Sequence, residues 1–340
     1  MEKHVTTPNY SDLRDSSKRI DLVEMSPISC PMTIYLEATN ICNFKCKYCP
    51  ESFDDYENIT GGFHRMSTAE FEMICDQVNE MGQLKTLNFY MMGEPFVNKN
   101  LPEFIKIAKS KKISEKLIVT TNGSLLDAET AQKVIDSELD YIRFSIYGTD
   151  QDDFSKTTGS KLNIERIIDR IRYFRKLRDE QGKTKPFLYA KMIDTLDDNR
   201  NQNFLNLFRD ICEEAAIEPV MNWNDPSEGN LSGLETSVLL EKPYFSKRKE
   251  VCPFPFYTLV IHSDLSVSVC CVDWAKKTVV GNLKEQSLKK IWMGERLKEF
   301  RLTHLRRERH SLEACRACTF LHTAPDSLDE LSPDTFSARY

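Results

Sequence analysis

The 340 residues carry a net charge of -6, with 40% hydrophobic and 10% aromatic side chains, 12 Gly and 14 Pro. This length allows one large domain or two ordinary ones, and the composition excludes a low-complexity or fibrous chain. The acidic balance provides no general basic field, so no nucleic-acid partner is expected; Arg170 with Arg172, and Arg306, Arg307 and Arg309, fall in helical patterns and read as solvated helix faces.

Residues 1–30 form a polar leader. Its first 19 residues lack a signal-peptide apolar core, and no apolar run is long enough to cross a membrane, so the expected location is cytoplasmic with no membrane partner. From residue 31 strands and helices alternate. Thr33–Leu36 reads as a strand followed by a Cys-rich loop. Ser67 and Glu70 make a capping box for a helix to about Met81. Strands follow at Leu84–Met91, Lys116–Thr121, Tyr141–Ile146, Phe187–Met192 and Val220–Trp223. Helices fall at Leu101–Lys111, Asp127–Ser137, a long segment from Ile164 to Leu177, and Phe204–Glu214. Such alternation predicts a parallel sheet with crossover helices. The expected fold is therefore α/β, a partial (β/α)6 barrel over residues 31–230, with functional groups at the C-terminal strand ends.

Residues 231–320 change character. Gly229 to Lys249 reads as loop, Thr258–His262 and Ser266–Cys270 as a hairpin turning at Ser263 and Asp264, and Leu288–Phe300 as a helix. A small cluster-bearing domain, hairpin plus helix, is expected there, because the region is short of apolar residues and calls for a metal staple. Residues 321–340 read as a tail.

Eleven cysteines in a compartment that keeps thiols reduced point to metal or redox chemistry. Cys42, Cys46 and Cys49 form C-x3-C-x2-C directly after the first strand. Three thiolates on one loop suit three irons of a four-iron cluster and leave the fourth open; a zinc loop completed by a distant residue is the alternative. Cys252, Cys270, Cys315 and Cys318 suit a second closed site, either four-iron or zinc. Cys271 adjoins Cys270, and strand neighbours face opposite ways, so one of the two is expected to bind. Cys30, Cys75 and Cys212 read as small buried hydrophobes.

The loop Cys42-Asn43-Phe44-Lys45-Cys46-Lys47-Tyr48-Cys49 resembles the defining motif of the radical S-adenosylmethionine (SAM) superfamily. The resemblance implies a four-iron cluster that cleaves SAM to a 5′-deoxyadenosyl radical, with Tyr48 along the adenine. Met92-Gly93-Glu94-Pro95 is similar to the family's Gly-Gly-Glu motif, which implies that Glu94 accepts the cofactor's ammonium beside Gly93. Asn122, Ser145 and Lys191 resemble positions that contact its ribose and carboxylate. Residues 261–271, with Gly281-Asn282-Leu283 and Ser287–Trp292, resemble the hairpin of SPASM and Twitch extensions, although Leu265 stands where the family hairpin has glycine. Four cysteines spaced as ligands resemble the one-cluster form, which implies two four-iron clusters in all and a flavodoxin or ferredoxin-type reductant.

The resemblance further implies hydrogen abstraction from a C–H bond, as in aminocyclitol or sugar dehydrogenases and epimerases. The expected substrate is a small polar molecule (a sugar, an aminocyclitol or a nucleotide-linked sugar) whose alcohol is oxidised with the second cluster taking the electron. An epimerase using Cys271 or Cys212 as hydrogen donor, a peptide-modifying enzyme and a non-enzymatic zinc-binding protein are the alternatives. Asn222, Trp223 and Asn224 are expected to line the barrel mouth.

Overall fold

A computed structural model describes residues 20–218 and 248–340. Among the described residues nine strands form one sheet in the order β6-β5-β4-β3-β2-β1-β7-β8-β9. They are β1 Thr33–Leu36, β2 Leu84–Phe89, β3 Ser114–Thr121, β4 Tyr141–Ser145, β5 Phe187–Ile193, β6 Glu214–Glu218, β7 Thr258–Ile261, β8 Ser266–Ser268 and β9 Val279–Asn282. Strands β1 to β6 pair in parallel in chain order, and β7 pairs in parallel with the free edge of β1, Tyr35 opposite Val260. β8 and β9 continue antiparallel. The β1–β6 arc is thus open, as a partial barrel requires, and the hairpin extends the same sheet.

The crossover helices are α1 Thr68–Met81, α2 Leu101–Ser110, α3 Ala128–Asp136, α4 Gln151–Thr158, α5 Ile164–Glu180 and α6 Asp198–Phe208. α1 begins at the expected capping box: the Glu70 N–H donates to Ser67 Oγ at 3.2 Å, and the Ser67 N–H donates to Glu70 Oε2 at 2.7 Å. Ile142, Phe144, Leu188 and Ala190 pack under these helices in the main core. The alternating residues Tyr141, Arg143, Ser145, Tyr189 and Lys191 therefore occupy the other, concave face.

Several expectations are corrected. The helix expected at Phe204–Glu214 starts at Asp198, capped by the Asp197 side chain, and ends at Phe208, so Glu214 opens the sixth strand. The strand expected at Val220–Trp223 and the mouth residues Asn222, Trp223 and Asn224 lie outside the described residues. The single helix expected at Leu288–Phe300 is two, α7 Leu288–Trp292 and α8 Glu295–Leu305, separated at Met293 and Gly294. Residues 321–340 are not a tail. Leu321 is fully buried, and a final helix, α9 Pro333–Arg339, carries Phe336 into a satellite core with Leu22, Val251, Phe256, Leu302 and Leu305. The fully buried Arg301 donates from Nε to the Pro255 carbonyl at 2.9 Å and from Nη1 to the Tyr340 hydroxyl at 3.4 Å, which fixes the C-terminal segment. No described helix is long and apolar enough to cross a membrane.

Candidate functional site: two thiol clusters flanking the concave face

The first cluster loop leaves β1 and is held from both sides. The Lys45 and Lys47 N–H groups each donate at 2.9 Å to the carbonyls of Thr158 and Thr157 at the end of α4. The Asn43 amide donates to Ser124 Oγ at 2.8 Å and accepts from Asn122 Nδ2 at 2.9 Å. The same loop thus takes its shape from the turn after β3 and the end of the helix that follows β4. Burial pushes the thiols of Cys42, Cys46 and Cys49 far up, and they raise one another further; the Glu51 carboxylate charge adds to this, although the Glu51 N–H pulls Cys49 partly back. Buried thiols that disfavour ionisation together fit a cationic group bound among them, because positive charge reverses that penalty.

Glu94 is buried after β2. Its Oε1 accepts from Thr121 Oγ1 at 2.7 Å and from the Phe96 N–H at 3.2 Å, while Oε2 accepts from the Asn122 N–H at 2.7 Å. Burial nevertheless lifts its pKa to about 7. Gly93 is required beside it. Its φ is +77°, and a Cβ there would lie 2.3 Å from the Thr39 carbonyl oxygen. Met92, in place of the family's first glycine, is buried with Tyr56 and Trp274.

Tyr48 is half-buried, its ring edge-on to Tyr147 at 6.1 Å, with the Lys47 ammonium 4.7 Å from its centroid. Asn122 serves the loop and Glu94, and Ser145 ends β4 in hydrogen-bond contact with Tyr147. Lys191 is committed to Glu218, Nζ to Oε2 at 2.9 Å, and burial lowers its pKa.

Sequence reading missed the group around it. On the concave face Arg143 donates to Glu218 Oε1 at 2.9 Å and to the Tyr90 hydroxyl at 3.3 Å, and the Tyr189 hydroxyl also donates to Glu218 Oε1 at 2.9 Å. Burial alone would raise the Glu218 carboxyl, but Lys191 and Arg143 bring it down to about 2. The period-two alternation in Tyr141-Ile142-Arg143-Phe144-Ser145 carries the signal. Glu51 was also missed: it is buried, accepts from the Gly93 N–H at 3.0 Å and lies 3.7 Å from Lys45. Only its adjacency to the cysteine loop marks it in the sequence.

The second cluster lines a cavity, partly open to solvent, whose wall includes Cys252, Cys270, Cys315 and Cys318. Phe254 stacks on Phe320 at 4.7 Å and draws the Cys252 segment to the C-x2-C turn. Arg309 is not simply a solvated charge: its Nη1 donates to the carbonyls of both Cys315 and Cys318, closing that turn. Burial raises all four thiols, and the Arg309 guanidinium pulls Cys252, Cys315 and Cys318 partly back. Cys270 lines the cavity. Cys271 is absent from the described lining and is instead hydrogen-bonded to the Tyr35 side chain, whose ring meets Tyr90 edge-on at 5.5 Å. Among the described residues no three Cys, His, Asp or Glu side chains are placed to hold a metal ion. Four thiols around one cavity match the four protein ligands of a closed four-iron cluster.

Leu265 occupies the family's glycine position at φ +70°, a left-handed conformation, with its side chain buried. Trp274 joins the two clusters: it lines the cavity, and its ring lies 5.5 Å from Phe53 and 6.3 Å from Tyr56, both in the segment after Cys49. Cys75 and Cys212 are buried as expected, although Cys212 lies beyond the end of α6; Cys30 is half-buried.

The Radical SAM superfamily matches residues 36–188, and the iron–sulfur cluster-binding SPASM domain matches residues 252–319. The chain carries a radical SAM domain followed by a SPASM domain. A radical SAM domain implies a four-iron cluster and SAM, and a SPASM domain implies additional iron–sulfur clusters.

The radical SAM chain is 25% identical over 311 residues to the tungsten-containing aldehyde ferredoxin oxidoreductase cofactor-modifying protein of Pyrococcus furiosus, covering 79% of this chain and 82% of that protein. It is 22% identical over 285 residues to the S-adenosyl-L-methionine-dependent 2-deoxy-scyllo-inosamine dehydrogenase of Niallia circulans, covering 84% and 91%. The PqqA peptide cyclase of Granulibacter bethesdensis is 29% identical, but over only 42% of this chain and 38% of its own length. Among solved structures, BtrN in complex with AdoMet and 2-DOIA matches at TM-score 0.54 and 18% identity, over 86% of this chain and 94% of that one. Streptococcus suis SuiB bound to precursor peptide SuiA matches at TM-score 0.64 and 13% identity, over 93% and 76%. At these identities the structural likeness is one of fold.

Proposed function

We propose that this radical SAM enzyme is an oxidoreductase acting on a small polar substrate, a sugar, aminocyclitol or nucleotide-linked sugar, and that it oxidises an alcohol. In this reading Cys42, Cys46 and Cys49 hold the four-iron cluster, and Glu94 accepts the SAM ammonium. Tyr48, Gly93, Asn122, Ser145 and Lys191 line the rest of the cofactor site. Cys252, Cys270, Cys315 and Cys318 hold one auxiliary four-iron cluster.

Held by Cys42, Cys46 and Cys49, the first cluster with SAM would supply the means to take hydrogen from the alcohol carbon; held by Cys252, Cys270, Cys315 and Cys318, the auxiliary cluster would supply an acceptor for the electron released as that carbon becomes a carbonyl and its hydroxyl proton leaves. The chain's own contribution is placement. The Arg143–Glu218–Lys191 group, with Tyr90 and Tyr189, gives the concave face fixed charges and hydroxyls to orient a polar substrate.

The observation that carries the reading is the step between the concave face and the second cavity. Cys271 contacts Tyr35, and Cys270, its chain neighbour, lines the cavity. An electron leaving a substrate on that face thus has a thiol-lined site one residue away. The span of the match to the dehydrogenase of Niallia circulans supports it.

Anaerobic reconstitution should give about eight irons and eight sulfides per chain. With SAM, a flavodoxin or ferredoxin-type reductant and a panel of aminocyclitols and sugars, substrate-dependent ketone should form. Cys42→Ala should abolish SAM cleavage. Cys315→Ala should leave cleavage without substrate largely intact and stop ketone formation. Ketone formed at the normal rate without the auxiliary cluster would overturn the electron-acceptor role.

The turn of Cys271 towards Tyr35 also favours a second reading, epimerisation with Cys271 returning hydrogen. In D2O an epimerase places deuterium on the target carbon, whereas the dehydrogenase yields ketone.

A further inference from the structure

The cysteine-lined cavity has one wall that no thiol accounts for. His304, on α8, is 1% exposed and lines this cavity. Among the described residues neither of its ring nitrogens has a hydrogen-bond partner. Its ring packs 5.2 Å from that of Phe300, one turn earlier on the same helix. Burial first, and the neighbouring Arg309 second, depress its pKa to about 4, so at neutral pH the ring carries one N–H donor and one lone pair. An unsatisfied buried polar group costs about 1–3 kcal/mol. The other basic groups of this wall are engaged: Arg309 donates to the Cys315 and Cys318 carbonyls, and Lys277 lies 2.9 Å from Glu313.

We infer that His304 donates its ring N–H to a sulfur of the auxiliary cluster and is a positioning residue that sets the cluster's reduction potential. The inference rests on the reading that this cavity holds that cluster. Four thiols already satisfy four irons, so the ring is left to act through hydrogen bonding rather than as a ligand. A donor to a cluster sulfur withdraws electron density and stabilises the reduced form, the state a cluster enters when it accepts an electron. The neutral ring adds this donor without adding charge, beside the fixed positive charge of Arg309.

The test uses the full-length chain carrying Cys42→Ala, Cys46→Ala and Cys49→Ala, so that only the second site takes iron. About four irons and four sulfides after reconstitution establish the cluster; none would remove the reading of the cavity, and the inference with it. Given the cluster, His304→Leu should shift its reduction equilibrium tenfold towards the oxidised form, about 59 mV more negative for a one-electron couple. His304→Gln, which keeps an N–H, should restore most of the shift with iron content unchanged. Unchanged potential in His304→Leu with the cluster intact overturns the inference and leaves the cluster assignment standing. Pulsed electron paramagnetic resonance on the reduced holoenzyme with His304 in place gives an independent readout. A weak nitrogen coupling that vanishes in His304→Leu is expected; the strong coupling of an iron-bound nitrogen would overturn the hydrogen-bonding role.

Discussion

Glu94 ties cofactor recognition to stability, and the connection can be measured without any cofactor. Burial raises its carboxyl from 4.5 to about 7 despite hydrogen bonds from the Asn122 N–H, Thr121 Oγ1 and the Phe96 N–H. The folded state therefore holds the proton more tightly than the unfolded chain. The resulting stabilisation is fully present below pH 4.5 and is lost as pH rises through about 7. At roughly 1.4 kcal/mol per pH unit the whole interval is worth about 3 kcal/mol, of which about 2–3 kcal/mol falls between pH 5 and pH 8. Against a total stability of about 5–15 kcal/mol this is a large fraction. Glu94→Gln cannot ionise, so its stability should fall less across that range, whatever constant cost its misplaced amide adds. Urea unfolding of cluster-free protein at four pH values measures both slopes. Parallel curves for the two proteins would refute the argument, because they would mean that the three hydrogen bonds outweigh burial and keep the carboxylate ionised.

Gly93→Ala should cost roughly 3 kcal/mol or more and abolish SAM binding, since the added Cβ meets the Thr39 carbonyl at 2.3 Å; thermal unfolding and equilibrium dialysis report the two effects. Phe336→Ala should lower stability by about 3–5 kcal/mol, seen as a shifted urea midpoint, because its ring is fully buried in the satellite core. Cys270→Ala should lose the iron of the second site while Cys271→Ala keeps it, by iron analysis; the reverse result would exchange their roles.

Much of the barrel is legible in the sequence because local signals agree with the tertiary arrangement. The Ser67–Glu70 capping box and the apolar strands ending near Asn122-Gly123 mark their elements to within a few residues. Helix α4 is hidden because Gln151–Thr158 is polar apart from Phe154, and its stability comes from the Asp150 cap and its packing on the cysteine loop. Strand β6 is hidden because Glu-Ala-Ala-Ile-Glu has helix-forming composition; the parallel edge of β5 makes it a strand. The C-terminal segment reads as a tail because its few large apolar residues are widely spaced among polar ones and broken by Pro325 and Pro333, yet Leu328, Leu331 and Phe336 lie in the satellite core and Leu321 lines the second cavity.

For the site, spacing exposes the cysteines because a short loop must present several thiols together. Glu51, Arg309 and His304 carry no such pattern. Their roles arise from where separate elements meet, and a charge run such as Arg306 to Arg309 conceals the one member that turns inward.

The pairing of β7 with β1 fixes more than the hairpin. Residues Thr33–Leu36 bond to Thr258–Ile261 on one edge, and Thr33–Tyr35 to Thr86–Asn88 on the other. The two cysteine groups thus hang from one hydrogen-bonded lattice rather than from bodies joined by a tether. Transfer between them crosses an interval set by backbone geometry, so its rate should be indifferent to solvent viscosity, unlike a step that waits for two domains to close.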